Sequence, residues 1–135
     1  SDGQAPFEVG TSYGSGTVGA LDFDVSNIFR TANYLAQDDC NVTKITGWIS
    51  GNSAAVVTVA ICKVTPVNGS SSDITPVLID EFTATGAGND IIIKINETTF
   101  TESSISEGDF VFPMVKGGSG QVIYFNVTLE LGYDN

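Results

Sequence analysis

The chain has 135 residues, with 16 Asp and Glu against 5 Lys and Arg, a formal net charge of −11, and no histidine. That length buries one hydrophobic core without disulfides or metals, which disfavours a second domain, and the charge repels a phosphate backbone, which argues against nucleic acid as a partner. Without histidine a Ser-His-Asp triad, a Cys-His dyad and any imidazole-bearing metal site are excluded.

The N-terminus, Ser1-Asp2-Gly3-Gln4, has neither the basic nor the apolar region of a signal peptide. Ser1 is small enough to follow a removed initiator Met, which would make this a complete short gene product made in a cytoplasm; a processed secreted protein is the other explanation. The Gly/Ser-rich stretch Gly10–Gly16 makes residues 1–16 a flexible N-terminal arm and leaves 17–135 as a single β-sandwich domain. Val, Ile, Thr and Phe dominate, and no stretch keeps apolar residues at helical spacing. The pattern predicts strands near 17–25, 42–50, 54–65, 76–84, 90–96, 109–116 and 121–131, with a further short one near Phe7 or around Tyr34. No window approaches the roughly 20 apolar residues that span a bilayer, so no membrane segment is expected.

Within the strand 54–65, Ala55, Val57, Val59 and Ile61 lie on one side and Val56, Ala60, Cys62 and Val64 on the other, so both faces read as buried. A small two-sheet protein must cover the second face with something else. Either a neighbouring subunit or the N-terminal segment 1–40 can do so, and the first makes Val56, Ala60, Cys62 and Val64, with Trp48, candidate oligomer-interface residues. Farther on, Ile91, Ile93 and Ile95 share a face while Lys94 and Asn96 point away; Phe110, Phe112 and Met114 share another. The last strand alternates Ile123, Phe125, Val127, Leu129 and Leu131 against Tyr124, Asn126, Thr128 and Glu130. The links Ser50–Ser53, Gly86–Asn89 and Gly117–Gly120 are short enough for hairpins, whereas Pro66–Thr75 and Asn96–Gly108 are long enough to change sheets. The expected fold is an all-β, antiparallel jelly-roll or Greek-key β-sandwich of about seven or eight strands.

Chemistry-bearing residues are sparse. Two cysteines cannot make a four-ligand zinc site; Cys40 and Cys62, 22 residues apart, could form a disulfide, with two reduced, buried thiols the favoured reading, and no phosphate-cradling glycine loop is present. Asp22, Asp24, Asp38, Asp39, Asp80, Glu81 and Glu107 offer nominal carboxylate pairs for a glycosidase, but 16 acids make such pairs common by chance. Asp38-Asp39 or Asp22-Asp24 could bind calcium, yet they lack the spaced oxygen ligands of a calcium loop, so no metal and no cofactor is the favoured expectation. Sequons stand at Asn41, Asn68, Asn96 and Asn126 and matter only in a glycosylating compartment. Trp48 with Tyr13, Tyr34, Tyr124 and Tyr133 could form a platform on which apolar sugar faces stack; a lone Trp in a strand also suits a core or an interface.

The run Ile45-Thr-Gly-Trp48, the strand Val57–Lys63, the segment Glu107-Gly-Asp-Phe-Val-Phe-Pro-Met-Val-Lys116 and the closing Phe125–Leu131 together resemble jelly-roll domains of virion structural proteins from marine tailed bacteriophages. The likeness spans roughly residues 40–131. It implies a non-enzymatic capsid decoration protein or fibre head, a homotrimer bound to the major capsid protein on the outer surface of the virion. The alternative is a receptor- or carbohydrate-binding module of a fibre or extracellular protein, with its site on loops such as 66–75, 86–89 or 117–120; exposure of Trp48 or Tyr13 favours it.

Overall fold

The computed structural model describes residues 4–7, 11–12, 23–24, 33–51, 57–69, 73–84, 92–116 and 123–133. Among these there are twelve strands and no helix: β1 (Gln4–Phe7), β2 (Thr11–Ser12), β3 (Phe23–Asp24), β4 (Tyr34–Leu35), β5 (Cys40–Gly51), β6 (Val57–Val64), β7 (Asp73–Ile74), β8 (Val77–Ala84), β9 (Ile93–Glu97), β10 (Ser104–Ile105), β11 (Phe110–Lys116) and β12 (Ile123–Tyr133). Seven of them have four or more residues, and these carry the fold.

Two five-stranded sheets face each other. In the first, the order runs β1-β12-β5, and the far edge of β5 is shared by β9 and β10. In the second it runs β8-β6-β11, and the far edge of β11 is shared by β4 and β2. Pairing is antiparallel throughout except for β2 on β11. Pro113 has no N–H to give to a ladder. It falls between the residues of β11 that meet β4 and those that meet β2, where that edge has no described partner.

The result is the expected all-β jelly-roll/Greek-key sandwich, but its connections differ from the sequence reading. The three short links leave one sheet and enter the other: β5 to β6, β8 to β9 and β11 to β12 join strands that do not pair. The expected hairpins are therefore crossovers. The long link after Pro66 instead joins β6 to β8, which pair directly, so it is the true hairpin connection. The chain between β9 and β11 does change sheets as expected. The physical reason is reach: a link of about five residues extends to roughly 17 Å, more than the ~10 Å between facing sheets, so shortness does not distinguish a hairpin from a crossover.

Between the sheets lies the main core, with Ile45, Ile49, Val57, Ile61, Ile79 and Leu129 among its members. β12 delivers Val127, Leu129 and Leu131 to it by strict alternation, interrupted by a register shift after Glu130. A second cluster forms on the outer face of the β6–β11 sheet from Ala60, Cys62, Val64, Phe112 and Met114, with Ile74, Leu78 and Phe110 packed against it. Both β6 and β11 are thus buried on both faces.

Ala60, Cys62 and Val64 are buried within a single chain, so no neighbouring subunit is needed to cover them. Ile74, which packs on this cluster, belongs to β7, and β7 pairs with β3 from the N-terminal segment. Val56 lies outside the described residues. Within the segment expected to be a flexible arm, Gln4–Phe7 pairs with β12 and Thr11–Ser12 pairs with β11. Pro6 is tolerated there because, among the described residues, β1 is an edge strand; the rest of 1–16 lies outside the described residues.

Candidate functional site

The outer face of the β5–β12 sheet is built by alternation. Ile45 and Ile49 of β5 point into the core, which turns Thr46, Trp48 and Ser50 outward. In β12 the inward Phe125 and Val127 leave Tyr124 and Asn126 outside, and in β9 the inward Ile93 and Ile95 leave Lys94 outside. Register then fixes the neighbours. Lys94, Trp48 and Asn126 lie in one cross-strand row, and Tyr124 pairs with Ser50 one row along. Trp48 and Tyr124 are therefore diagonal neighbours, a spacing that aromatic side chains bridge.

Trp48 is 51% exposed, Tyr124 60% and Ile92 64%. With Ser50, Phe125 and Asn126 they line an open groove of about 470 Å³ whose walls are almost wholly apolar. The Lys94 ammonium stands over the indole, 5.9 Å from the ring centroid, within reach of the negative π face. Gly47 keeps this part of the sheet tight: a Cβ there would fall 2.9 Å from the Val127 Cα and inside contact distance of the Asn126 carbonyl oxygen.

Of the aromatic residues singled out from the sequence, Trp48 and Tyr124 come together here. Tyr34 and Tyr133 do not: they are half-buried against the core and share a hydrogen bond of 3.0 Å. That hydrogen bond, with burial second, raises the Tyr133 phenol above its ordinary value. Tyr13 lies outside the described residues. Ile92 was missed as a wall of the groove, although placing Ile91, Ile93 and Ile95 on one face already put it on the other.

The carboxylates do structural work. Asp109, in the Glu107-Gly108-Asp109 turn, is buried; it accepts from the Thr65 hydroxyl at 2.6 Å and the Ser106 amide at 2.9 Å. Gly108 supplies the left-handed backbone (φ 87°) that the turn needs. Asp39 accepts from the Glu107 amide at 2.8 Å, and Asp80 accepts from the Glu81 amide at 2.9 Å. Glu102 accepts from the Ser104 amide and hydroxyl, which hold its carboxyl below the usual range, and Lys63 Nζ donates to the Ser104 carbonyl. Among the described residues no group of three acidic or cysteine side chains is arranged to hold a metal ion.

Cys40 and Cys62 are free thiols, and they occupy different layers: Cys40 the main core, Cys62 the second cluster. Burial pushes both thiols up, with help at Cys40 from Asp39, Asp109 and Asp38 and at Cys62 from Glu81. Neither is poised as a nucleophile, since the thiolate is the reactive form.

No protein-family model and no curated protein matched the chain.

Proposed function

We propose that this chain is a non-enzymatic binding module that takes a saccharide on the outer face of the β5–β12 sheet, as a receptor-binding domain of a fibre or extracellular protein would. One observation carries the reading: Trp48 and Tyr124 stand exposed and diagonal to each other in an apolar groove. A pyranose has one face of C–H groups, and such a face gains from packing on an aromatic ring while its hydroxyls stay in water. Asn126 and Ser50, at the margin of the groove, can exchange hydrogen bonds with those hydroxyls. The site is on a rigid sheet face instead of on the loops first considered.

Trp48 is the sole tryptophan, so its emission reports on the groove directly. A glycan array followed by fluorescence titration of the best hits should give a saturable change in Trp48 emission, and Trp48→Ala should abolish array binding with little loss of stability. An array without signal, or hits that leave the emission unchanged, overturns the reading.

The second reading is a virion structural protein, a trimeric capsid decoration protein. The same exposed apolar side chains favour it, because a patch of this kind also suits a protein interface, and the resemblance over residues 40–131 points to it. Light scattering at low and high salt tests it. A particle of three times 14.1 kDa at both salts, reduced to one by Trp48→Ala, is the expected outcome. A monomer throughout sinks intrinsic trimerisation.

A further inference from the structure

The charge distribution around Trp48 narrows the class of saccharide, given the saccharide reading above. The protein as a whole is strongly acidic, yet among the described residues the charge beside the indole is positive: Lys94, directly across the strand pair, with its ammonium over the ring. The other described outward residues close to Trp48 are uncharged, namely Thr46, Ser50, Tyr124, Asn126 and Thr128. Among the described residues the next charges along this face, Lys44 and Glu130, are a cross-strand pair four residues away along the strands, roughly 13 Å. Glu97 lies three residues beyond Lys94, roughly 10 Å. At physiological salt the screening length is about 8 Å, so a ligand seated on Trp48 feels Lys94 far more than the net charge of the molecule.

We propose that the groove takes an anionic pyranose, its apolar ring face on the Trp48 indole and its carboxylate or sulfate on the Lys94 ammonium. The Lys94 side chain lines the separate cleft bordered by Glu81 and Glu97 and reaches this groove through its contact with the Trp48 ring. The contact that ties the ammonium to this face is the one with the Trp48 ring. A bound anion would meet that ammonium at the edge of an apolar groove, where a charge-assisted hydrogen bond gains most.

Calorimetric titration at about 0.15 M salt, on the whole chain, tests this with three tetrasaccharides of equal length: an oligo-uronate, a sulfated one and a neutral one. Binding of the uronate or the sulfated ligand about tenfold or more tighter than the neutral one is expected, and the preferred arm tells carboxylate from sulfate. Lys94→Gln should bring anionic and neutral affinities together, while Trp48→Ala should remove binding of all three. Equal affinity for anionic and neutral ligands, or an anion preference that survives in Lys94→Gln, overturns the inference and leaves the saccharide reading standing. Absence of binding by any of the three overturns both.

Discussion

The outer faces of the two sheets pose the same problem and solve it differently. On the β6–β11 sheet the outward side chains Ala60, Cys62, Val64, Phe112 and Met114 are closed off from water by the chain itself, whereas on the β5–β12 sheet Trp48, Tyr124 and Ile92 stand in solvent. The covered face is a second core, and its aliphatic and Phe side chains have no polar handle. The bare face mixes aromatic residues with Thr46, Ser50, Asn126 and Lys94, which keep it soluble while leaving apolar area available. The proposed function rests on the face on which the fold has left apolar groups uncovered.

The sharpest way to break this contrast is to truncate one large side chain on each face. Phe112 is fully buried, and Phe112→Ala should cost about 3–5 kcal/mol of unfolding free energy through lost burial and the cavity left behind. Trp48→Ala should cost no more than about 1 kcal/mol, because half of that side chain is in water already. Urea denaturation of both variants reads the difference. Equal costs would mean that the two faces are covered alike, and the saccharide site would lose its physical basis.

Part of this contrast is legible in the sequence. Strand positions follow from alternation, and the doubly apolar character of β6 is plain from Val57 to Val64. That β11 is equally buried was hidden, because its bulky Phe110, Phe112 and Met114 read as the core-facing set, whereas Val111 and Val115 reach the main core and the larger side chains fill the second cluster. What covers that cluster depends on contacts between distant parts of the chain, such as β3 with β7, and two-residue strands leave no periodic signal. Trp48 was readable in principle: it shares a face with Thr46 and Ser50, opposite Ile45 and Ile49, and that polar company marks the outer side. Its meeting with Tyr124 and Lys94 rests on register, which short crossover links do not reveal.

A smaller effect is expected where the two strands beneath the groove approach most closely. Gly47→Ala places a methyl against the Asn126 carbonyl and the Val127 Cα, both backbone atoms with little room to yield. Overpacking of this kind costs about 1–3 kcal/mol and pushes β5 and β12 apart locally. Because Trp48 and Asn126 sit directly over that contact, the variant should lose stability and also shift Trp48 emission in the folded state. An unchanged emission with a full loss of stability would separate the platform from the strand spacing.

The smallest effect concerns the edge of the covered sheet. Among the described residues β8 has only β6 beside it, and an unpaired edge invites pairing with another chain; Asp80 and Glu81 on β8 put charge there. For Asp80 the location is costly: burial, together with the charges of Glu97 and Glu81, raises its carboxyl above 3.8, while the Glu81 amide works in the other direction. A carboxyl whose value is raised on folding binds its proton more tightly in the native state, so stability falls as pH rises through that window and is flat above it. Asp80→Asn keeps an oxygen to accept from the Glu81 amide and removes the buried charge. Its melting temperature should exceed that of the parent by about 1–2 °C at pH 7, after discount for solvent screening. The gain should shrink as pH is lowered and vanish near pH 3, where the parent is protonated as well. A gain that persists at pH 3 would assign the effect to packing instead of charge. A more stable but self-associating variant at pH 7 would identify Asp80 as a guard on the open edge of the sheet whose face is closed.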